Sequence, residues 1–192
     1  MDISLDKLQG LVEGCLAGDP LRQKEFYFTF YPVMMKVCVR YAPNTEDAEQ
    51  WVHDGFMKVY HNLGQFGFQG SFEGWVRKVT TRVCLDNLRS LNAKKNEVEK
   101  NTYFNIEDNT AANSLGVLNQ VQERISADEV LNIMRKLPDK QRTVFNLYVF
   151  EEYNHKEIAQ ELNITENHSH WLLHQAKKQL KSIITTNSKI EL

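Results

Sequence analysis

The sequence predicts an all-α protein: two small helical domains joined by a flexible linker, the second carrying a helix-turn-helix. Apolar residues recur at helical spacing over most of the 192 residues, and no segment shows the alternation typical of strands. The middle of the chain is rich in asparagine and poor in apolar residues, which favours a tether over a packed core. The predicted division is residues 1–92 and 120–186 as domains, 93–119 as linker and 187–192 as tail.

The first two helices are predicted from an apolar stripe and a proline-marked start. The stripe consists of Leu8, Leu11, Val12, Cys15 and Leu16, and it stops near Gly18. Asp19 followed by Pro20 is typical of an N-cap with proline in the first turn. The second helix is expected to reach Tyr41, with Pro32 as a kink or break.

Two more helices complete the first domain. Thr45 is expected to cap a helix that carries Trp51, Val52, Phe56, Val59 and Tyr60 to about Leu63. Residues 64–70 form a glycine-bearing loop that holds Phe66 and Phe68. Ser71 is expected to cap the next helix, in which Phe72 and Trp75 fall at core spacing.

The second domain opens with a helix whose apolar positions are Val121, Ile125, Val130, Leu131 and Met134. Leu137-Pro138 then turns the chain into a helix marked by Val144, Phe145 and Tyr148.

A helix-turn-helix is predicted between residues 154 and 181. Asn154 and Glu157 have the spacing of a capping box, Asn163 suits a turn residue with positive φ, and Thr165 suits the cap of the second helix. The inward face of that helix is Ser169, Leu172, Leu173 and Ala176. This spacing favours a second helix that enters the DNA major groove, although a plain helical hairpin in a bundle core has the same pattern.

The outward face of the second helix is rich in histidine. It carries His168, His170, Trp171, His174 and Gln175, followed by Lys177, Lys178 and Lys181. Protonation of its three histidines is expected to strengthen DNA contact below roughly pH 6.5. His170 and His174 lie one turn apart, but no further ligand lies close by, so no metal site is predicted.

Composition narrows the functional classes. The net charge of −2 and the pI of about 6.3 give no overall basic field, so DNA contact must come from local patches. The three cysteines form no CxxC pair, and no run of about 18 apolar residues occurs. These features predict a cytoplasmic protein without a cofactor. No common catalytic motif is present, so we expect no enzyme.

Several segments together resemble the extracytoplasmic-function (ECF) sigma factors, which recruit RNA polymerase to promoters. Phe30-Tyr31-Pro32, Asp47-Ala48-Glu49 and Asp54-Gly55-Phe56 are similar to region 2 of that family. So are Gly70 to Lys78, in the order GSFEGWVRK, and Cys84 to Arg89, in the order CLDNLR. Leu137-Pro138, Arg142 to Phe145 and His155 to Ala159 resemble region 4.

The resemblance implies two partners, core RNA polymerase (its β and β′ subunits) and promoter DNA, and often an anti-sigma factor as a third. It assigns polymerase contact to Asp47, Glu49, Asp54 and Phe56. The −10 element would contact Phe66, Phe68, Ser71, Arg77, Lys78 and Arg82, since aromatics with nearby cations can hold an unstacked base. For Phe66 and Phe68, packing within the domain is an equally open alternative. The −35 element would contact His155, Lys156, Thr165, Asn167, His168, His170, Trp171, His174, Gln175 and Lys178.

Two other functions fit parts of the sequence. A helix-turn-helix regulator acting without polymerase would account for the second domain but leave the aromatic loop without a purpose. A degenerate sigma factor acting mainly through protein partners would account for the unusual DNA faces. The acids of the polymerase face also admit a local role, because Asp47 and Glu49 complement the positive end of their own helix.

Overall fold

The computed structural model describes residues 3–98 and 127–187. They fall into two compact units, one within each range, and each is described by itself. Both units are helical, and no strand occurs among the described residues. The all-α prediction is therefore confirmed. Residues 99–119 of the predicted linker and 188–192 of the tail lie outside the described residues, as do Val121 and Ile125.

The first unit contains four α-helices and one 3-10 turn. They are α1 (Leu5–Leu16), α2 (Pro20–Tyr41), α3 (Thr45–Asn62), the turn Leu63–Gln65 and α4 (Phe72–Val98). Helices α2, α3 and α4 pack on one another, and α1 packs on α2. Helix α4 continues past Asn92, where the linker was expected to begin.

Aromatic rings form the centre of this unit. Phe26 is fully buried, and its ring centroid lies 4.7 Å from that of Phe30, 5.9 Å from that of Phe72 and 6.4 Å from that of Phe56. Full burial of one such side chain contributes about 1.5–3 kcal/mol. The contact of α2, α3 and α4 is thus stabilised chiefly by these aromatic side chains, of which Phe56 and Phe72 occupy apolar positions predicted from helical spacing.

All three cysteines of the chain are free and lie in the same core. Cys38 of α2 and Cys84 of α4 are fully buried, with their Sγ atoms 3.7 Å apart. Burial, with smaller contributions from the carboxylates of Asp19 and Glu25, raises the pKa of Cys15 in α1 to about 11.

Pro32 does not break α2, contrary to the sequence-based alternative of a break. The missing N–H of Pro32 leaves the carbonyl of Phe28 without its helical donor. Both residues lie on the exposed side of α2, where water can satisfy that carbonyl. The helix therefore continues without interruption to Tyr41.

Two further expectations for this unit were wrong. The cap of α3 is Asn44, whose Oδ1 accepts the N–H of Asp47 at 2.8 Å, and Thr45 is already the first helical residue. Leu16 is 56% exposed, because it lies at the end of α1, off the face that packs on α2. The caps expected at Asp19 and Ser71 are confirmed by hydrogen bonds to the N–H groups of Leu21 and Gly74.

The second unit contains α5 (Ala127–Arg135), α6 (Asp139–Val149), α7 (His155–Leu162) and α8 (Glu166–Asn187). Its core consists of buried side chains from all four helices, among them Met134, Val144, Leu147, Ile158, Leu172 and Ala176.

The start of α6 is fixed by a buried arginine. Arg142 Nη2 lies 2.9 Å from Asp139 Oδ1, three residues earlier, and the Arg142 side chain is only 6% exposed. Burial lowers the pKa of Arg142, and the adjacent Asp139 carboxylate opposes that shift. The pair joins the first turn of α6 to the core.

Candidate nucleic-acid interface

The helix-turn-helix is formed as its local signals predict. Asn154 Oδ1 accepts the N–H of Glu157, and Glu157 Oε2 accepts the N–H of Asn154, so the capping box is complete. Asn163 adopts φ 52° and ψ 50°, the left-handed conformation expected at the turn. Thr165 Oγ1 then accepts the N–H of His168 and begins α8.

The inward face of α8 is also as predicted. Ser169, Leu172, Leu173 and Ala176 are all buried, and Leu180 extends the stripe. The opposite face presents the exposed residues Asn167, His170 and Lys178. His168, Trp171, His174 and Gln175 are half-buried, and the rings of His168 and Trp171 meet edge to face at 5.6 Å.

His155 lies between helices and is not an outward residue. Its ring stacks on that of His170 at 3.6 Å and on that of Tyr148 at 4.7 Å. Burial, and then the neighbouring His170, lower its pKa. Lys156, the next residue, is exposed.

The aromatic loop of the first unit contains two phenylalanines with different environments. Phe66 is buried, with its ring 4.8 Å from Phe72 and 5.5 Å from Trp75. Phe68 is 38% exposed and has φ 54°, an uncommon conformation for a large side chain. The two rings meet edge to face at 5.3 Å, so the exposed ring of Phe68 packs against the buried ring of Phe66.

The polar residues near this loop differ in whether their side chains are free to contact a ligand or are engaged within the unit. Ser71 Oγ accepts the N–H of Gly74 and is engaged as the cap of α4. Lys78 and Arg82 are exposed and lie one turn apart on α4, whereas Arg77 is half-buried. The exposed cations thus follow the loop along one side of α4.

The residues expected to contact polymerase are mostly engaged within the first unit. Asp47 Oδ2 accepts the amide of Asn44 at 2.8 Å, and Asp54 accepts amides from Gln50 and from Asn87 of α4. Phe56 is buried. Glu49 is the exposed member of this set.

Sequence reasoning missed an apolar surface on α2 and α3. Phe28 is 64% exposed and Met57 is 71% exposed. The Tyr27 ring adjoins that of Phe28 at 5.6 Å and stacks on that of His53 at 6.2 Å. Phe28 and Met57 are apolar residues out of phase with the buried stripes of their helices, which is a signal the sequence does carry.

Comparison with known proteins agrees with this arrangement. Residues 26–94 match the family model "Sigma-70 region 2", and residues 127–180 match "Sigma-70, region 4". The chain belongs to the ECF sigma factor family. It is an RNA polymerase sigma factor, and each of the two matched regions lies within one of the two units.

Relatives of this sigma factor are distant but extend over most of its length. The ECF sigma factor SigW of Bacillus subtilis is 26% identical over 158 residues, which span 76% of this chain and 80% of SigW. A probable RNA polymerase sigma factor of Haemophilus influenzae is 26% identical over 72% of this chain and 77% of its own. The fold of this chain is similar to that of the sigma factor RpoE, which was crystallised with the anti-sigma factor NepR from Bartonella quintana. That similarity has a TM-score of 0.53 at 13% identity and covers 84% of this chain and 96% of RpoE.

Two further observations bear on what the sigma factor contains. Among residues 3–98 and 127–187, no group of three His, Cys, Asp or Glu side chains could hold a metal ion. No helix in the same ranges is long and apolar enough to cross a membrane.

Proposed function

We propose that this sigma factor opens promoters by holding an unstacked base of the −10 element against Phe68. The observation that carries the proposal is the environment of Phe68, an exposed ring on a left-handed backbone above the buried ring of Phe66. A non-glycine residue in that conformation costs roughly 1–2 kcal/mol, and such strain is concentrated at functional sites. Stacking of one base on an aromatic side chain contributes about 1–3 kcal/mol.

The exposed cations of α4 supply the second part of the −10 site. Lys78 and Arg82 share one side of the helix and can bind the phosphates that flank the captured base. Within the predicted set, Ser71 fixes the start of α4, and Phe66 supports Phe68. Arg77 stays a predicted phosphate contact.

Helix α8 is proposed to recognise the −35 element in the major groove. Asn167 and Gln175 offer side-chain amides that can pair with base edges, and Lys178 offers a phosphate contact. Thr165 and Lys156 lie at the start of α8 and of α7, where backbone N–H groups also favour phosphate. His168, His170, Trp171 and His174 stay predicted contacts on the same helix.

Core polymerase is proposed to bind the surface formed by α2 and α3. Glu49 is the accessible acid there, and Phe28 and Met57 supply apolar area of the kind that marks protein interfaces. RpoE was crystallised with an anti-sigma factor, and we propose that a comparable protein regulates this chain. The sigma factor would then act in the cytoplasm with polymerase, and without catalytic chemistry of its own.

Reconstitution tests the function directly. Purified sigma factor and core polymerase from the same organism would be assayed for initiation across genomic DNA fragments. We expect discrete start sites that disappear when the sigma factor is omitted. Core binding without initiation would favour a degenerate sigma, and sequence-specific DNA binding without core binding would favour a regulator.

Variants of Phe68 test the −10 proposal at a start site found in this way. We expect Phe68→Ala to slow open-complex formation about 5- to 150-fold, the equivalent of 1–3 kcal/mol, with core binding unchanged. Phe68→Tyr is the matched control, because it retains the ring and should retain most of the opening rate. Equal opening by Phe68→Ala and the unmodified protein, measured by permanganate footprinting, would reject the role of Phe68.

A further inference from the structure

Four side chains from three helices form a continuous stack in the second unit. The ring of His155, at the start of α7, lies between the ring of Tyr148 of α6 at 4.7 Å and that of His170 of α8 at 3.6 Å. On the Tyr148 ring, Lys177 Nζ of α8 lies 5.5 Å from the centroid. We call Tyr148, His155, His170 and Lys177 the histidine stack.

The stack holds α8 at two points. His170 and Lys177 stand two helical turns apart on α8, and the rings of Tyr148 and His155 fill the space between them. A hydrogen bond adds to this contact, because Nδ1 of His155 lies 2.9 Å from Oγ of Ser169. Ser169 is fully buried, so this bond joins the base of α8 to the start of α7.

A positive charge on His155 would be opposed from several directions. His170 and Lys177 of α8 both disfavour it, as does the positive end of α7. From α6, the ring of Tyr148 stacks on one face of the His155 ring. Glu166 of α8 acts on His155 in the opposite direction, and its Oε1 lies 4.0 Å from Nε2 of His170. Burial is the largest cause of the lowered pKa of His155, and His170 is the next.

We propose that His155 is a positioning residue that keeps the recognition helix α8 in its place only while its imidazole is neutral, so that acidification weakens recognition of the −35 element. The consequence for DNA rests on the proposed function. The contact that holds α8 against the histidine stack, which we call the seating of α8, does not. Two imidazoles whose ring centroids lie 3.6 Å apart cannot both carry a positive charge without a large penalty.

The sign of the effect follows from the direction of the pKa shift. The pKa of His155 is lowered in the folded unit. A form in which α8 has left the histidine stack therefore binds the proton more readily than the form in which α8 is seated. Seating is therefore complete above the ordinary imidazole pKa of about 6.5 and weakens as the pH falls below it. This is opposite to the strengthening expected from protonation of the outward histidines.

Hydrogen exchange of the full chain, without polymerase or DNA, tests the seating. We expect α8 protection factors to fall by up to about tenfold between pH 7.5 and 5.5, one unit below the ordinary pKa. His155→Phe keeps the stack and cannot be protonated, so its protection should not change with pH. His61→Gln, at an exposed position of α3, is the control and should behave as the unmodified protein. An equal fall in His155→Phe and the unmodified protein would overturn the proposal.

Imidazole NMR of the unmodified chain covers the case in which His155→Phe does not fold. The His155 ring should titrate below the ordinary range, and titration at or above that range would also overturn the proposal.

The DNA consequence is tested at a start site that needs its −35 element. The initiation rate of His155→Phe, divided by that of the unmodified protein, should rise on acidification from pH 7.5 to 6.0. The ratio cancels the pH dependence of polymerase itself. A constant ratio with the expected exchange result would overturn only the link to promoter recognition, while no initiation by either protein would count against the proposed function.

Discussion

At the scale of single residues, the same left-handed backbone conformation can have different causes. Asn163 and Phe68 both have positive φ, at 52° and 54°. Asparagine tolerates this conformation and closes the helix-turn-helix, whereas phenylalanine does not favour it. A local reason is therefore sufficient for Asn163 but not for Phe68, whose strain we attribute to base capture.

Substitutions at Asn163 test that distinction. Asn163→Ala should lower the free energy of unfolding of the second unit by roughly 1 kcal/mol, because alanine is strained in the left-handed region. Asn163→Gly should leave stability unchanged or slightly raised. Chemical denaturation followed by circular dichroism measures both variants. Equal stability of the alanine and glycine variants would show that the turn can relax.

How far the sequence predicts a residue depends on the range of its interactions. The caps at Asn154, Thr165 and Ser71 involve neighbours three residues away, so spacing was sufficient to find them. The sequence leaves both loop phenylalanines divided between packing and DNA contact, because only the folded unit shows that Phe66 is buried and Phe68 is exposed. The stacking of His155 on His170 is likewise beyond sequence patterns, because the two rings come from different helices.

At the scale of helices, the start of α3 shows how a single position can be misassigned. Asn44 and Thr45 are both acceptable caps in sequence, and they differ by one residue. The reciprocal hydrogen bonds between Asn44 and Asp47, each 2.8 Å, decide for Asn44. The same bonds engage Asp47 locally, which supports the interpretation that this acid complements its own helix.

A pair of adjacent variants tests this cap. Asn44→Ala removes the acceptor of the Asp47 N–H and should cost about 1 kcal/mol of stability in the first unit. Thr45→Ala changes an exposed first-turn residue and should have little effect. Thermal unfolding of the full chain compares them. A larger loss for Thr45→Ala would return the cap to the position first expected.

At the scale of the whole molecule, charge limits what the protein can do alone. The net charge is −2, and the ammonium group of the half-buried Lys177 lies over the ring of Tyr148. Because counterion release from phosphates supplies most non-specific DNA affinity, few exposed lysines on α8 imply weak binding without polymerase. Tight promoter binding would then require the holoenzyme.

Binding measurements at several salt concentrations test this. The sigma factor alone should bind a promoter fragment no better than unrelated DNA, with Kd in the non-specific range of about 10⁻⁴–10⁻⁶ M near physiological salt. Addition of core polymerase should produce preference for the promoter. Fluorescence anisotropy follows both titrations. Strong sequence preference by the sigma factor alone would instead favour the helix-turn-helix regulator.

The distribution of cysteine makes the chain its own stability probe. All three thiols are buried in the first unit, so the rest of the chain offers none to a labelling reagent. Modification should therefore require opening of this unit, and wherever reclosing is faster than labelling its rate should report the opening equilibrium of the first unit alone. Mass spectrometry of Cys15 against Cys38 and Cys84 would further separate release of α1 from parting of α2 and α4. The opening of the first unit could thus be followed in a sigma factor bound to polymerase without any added tag.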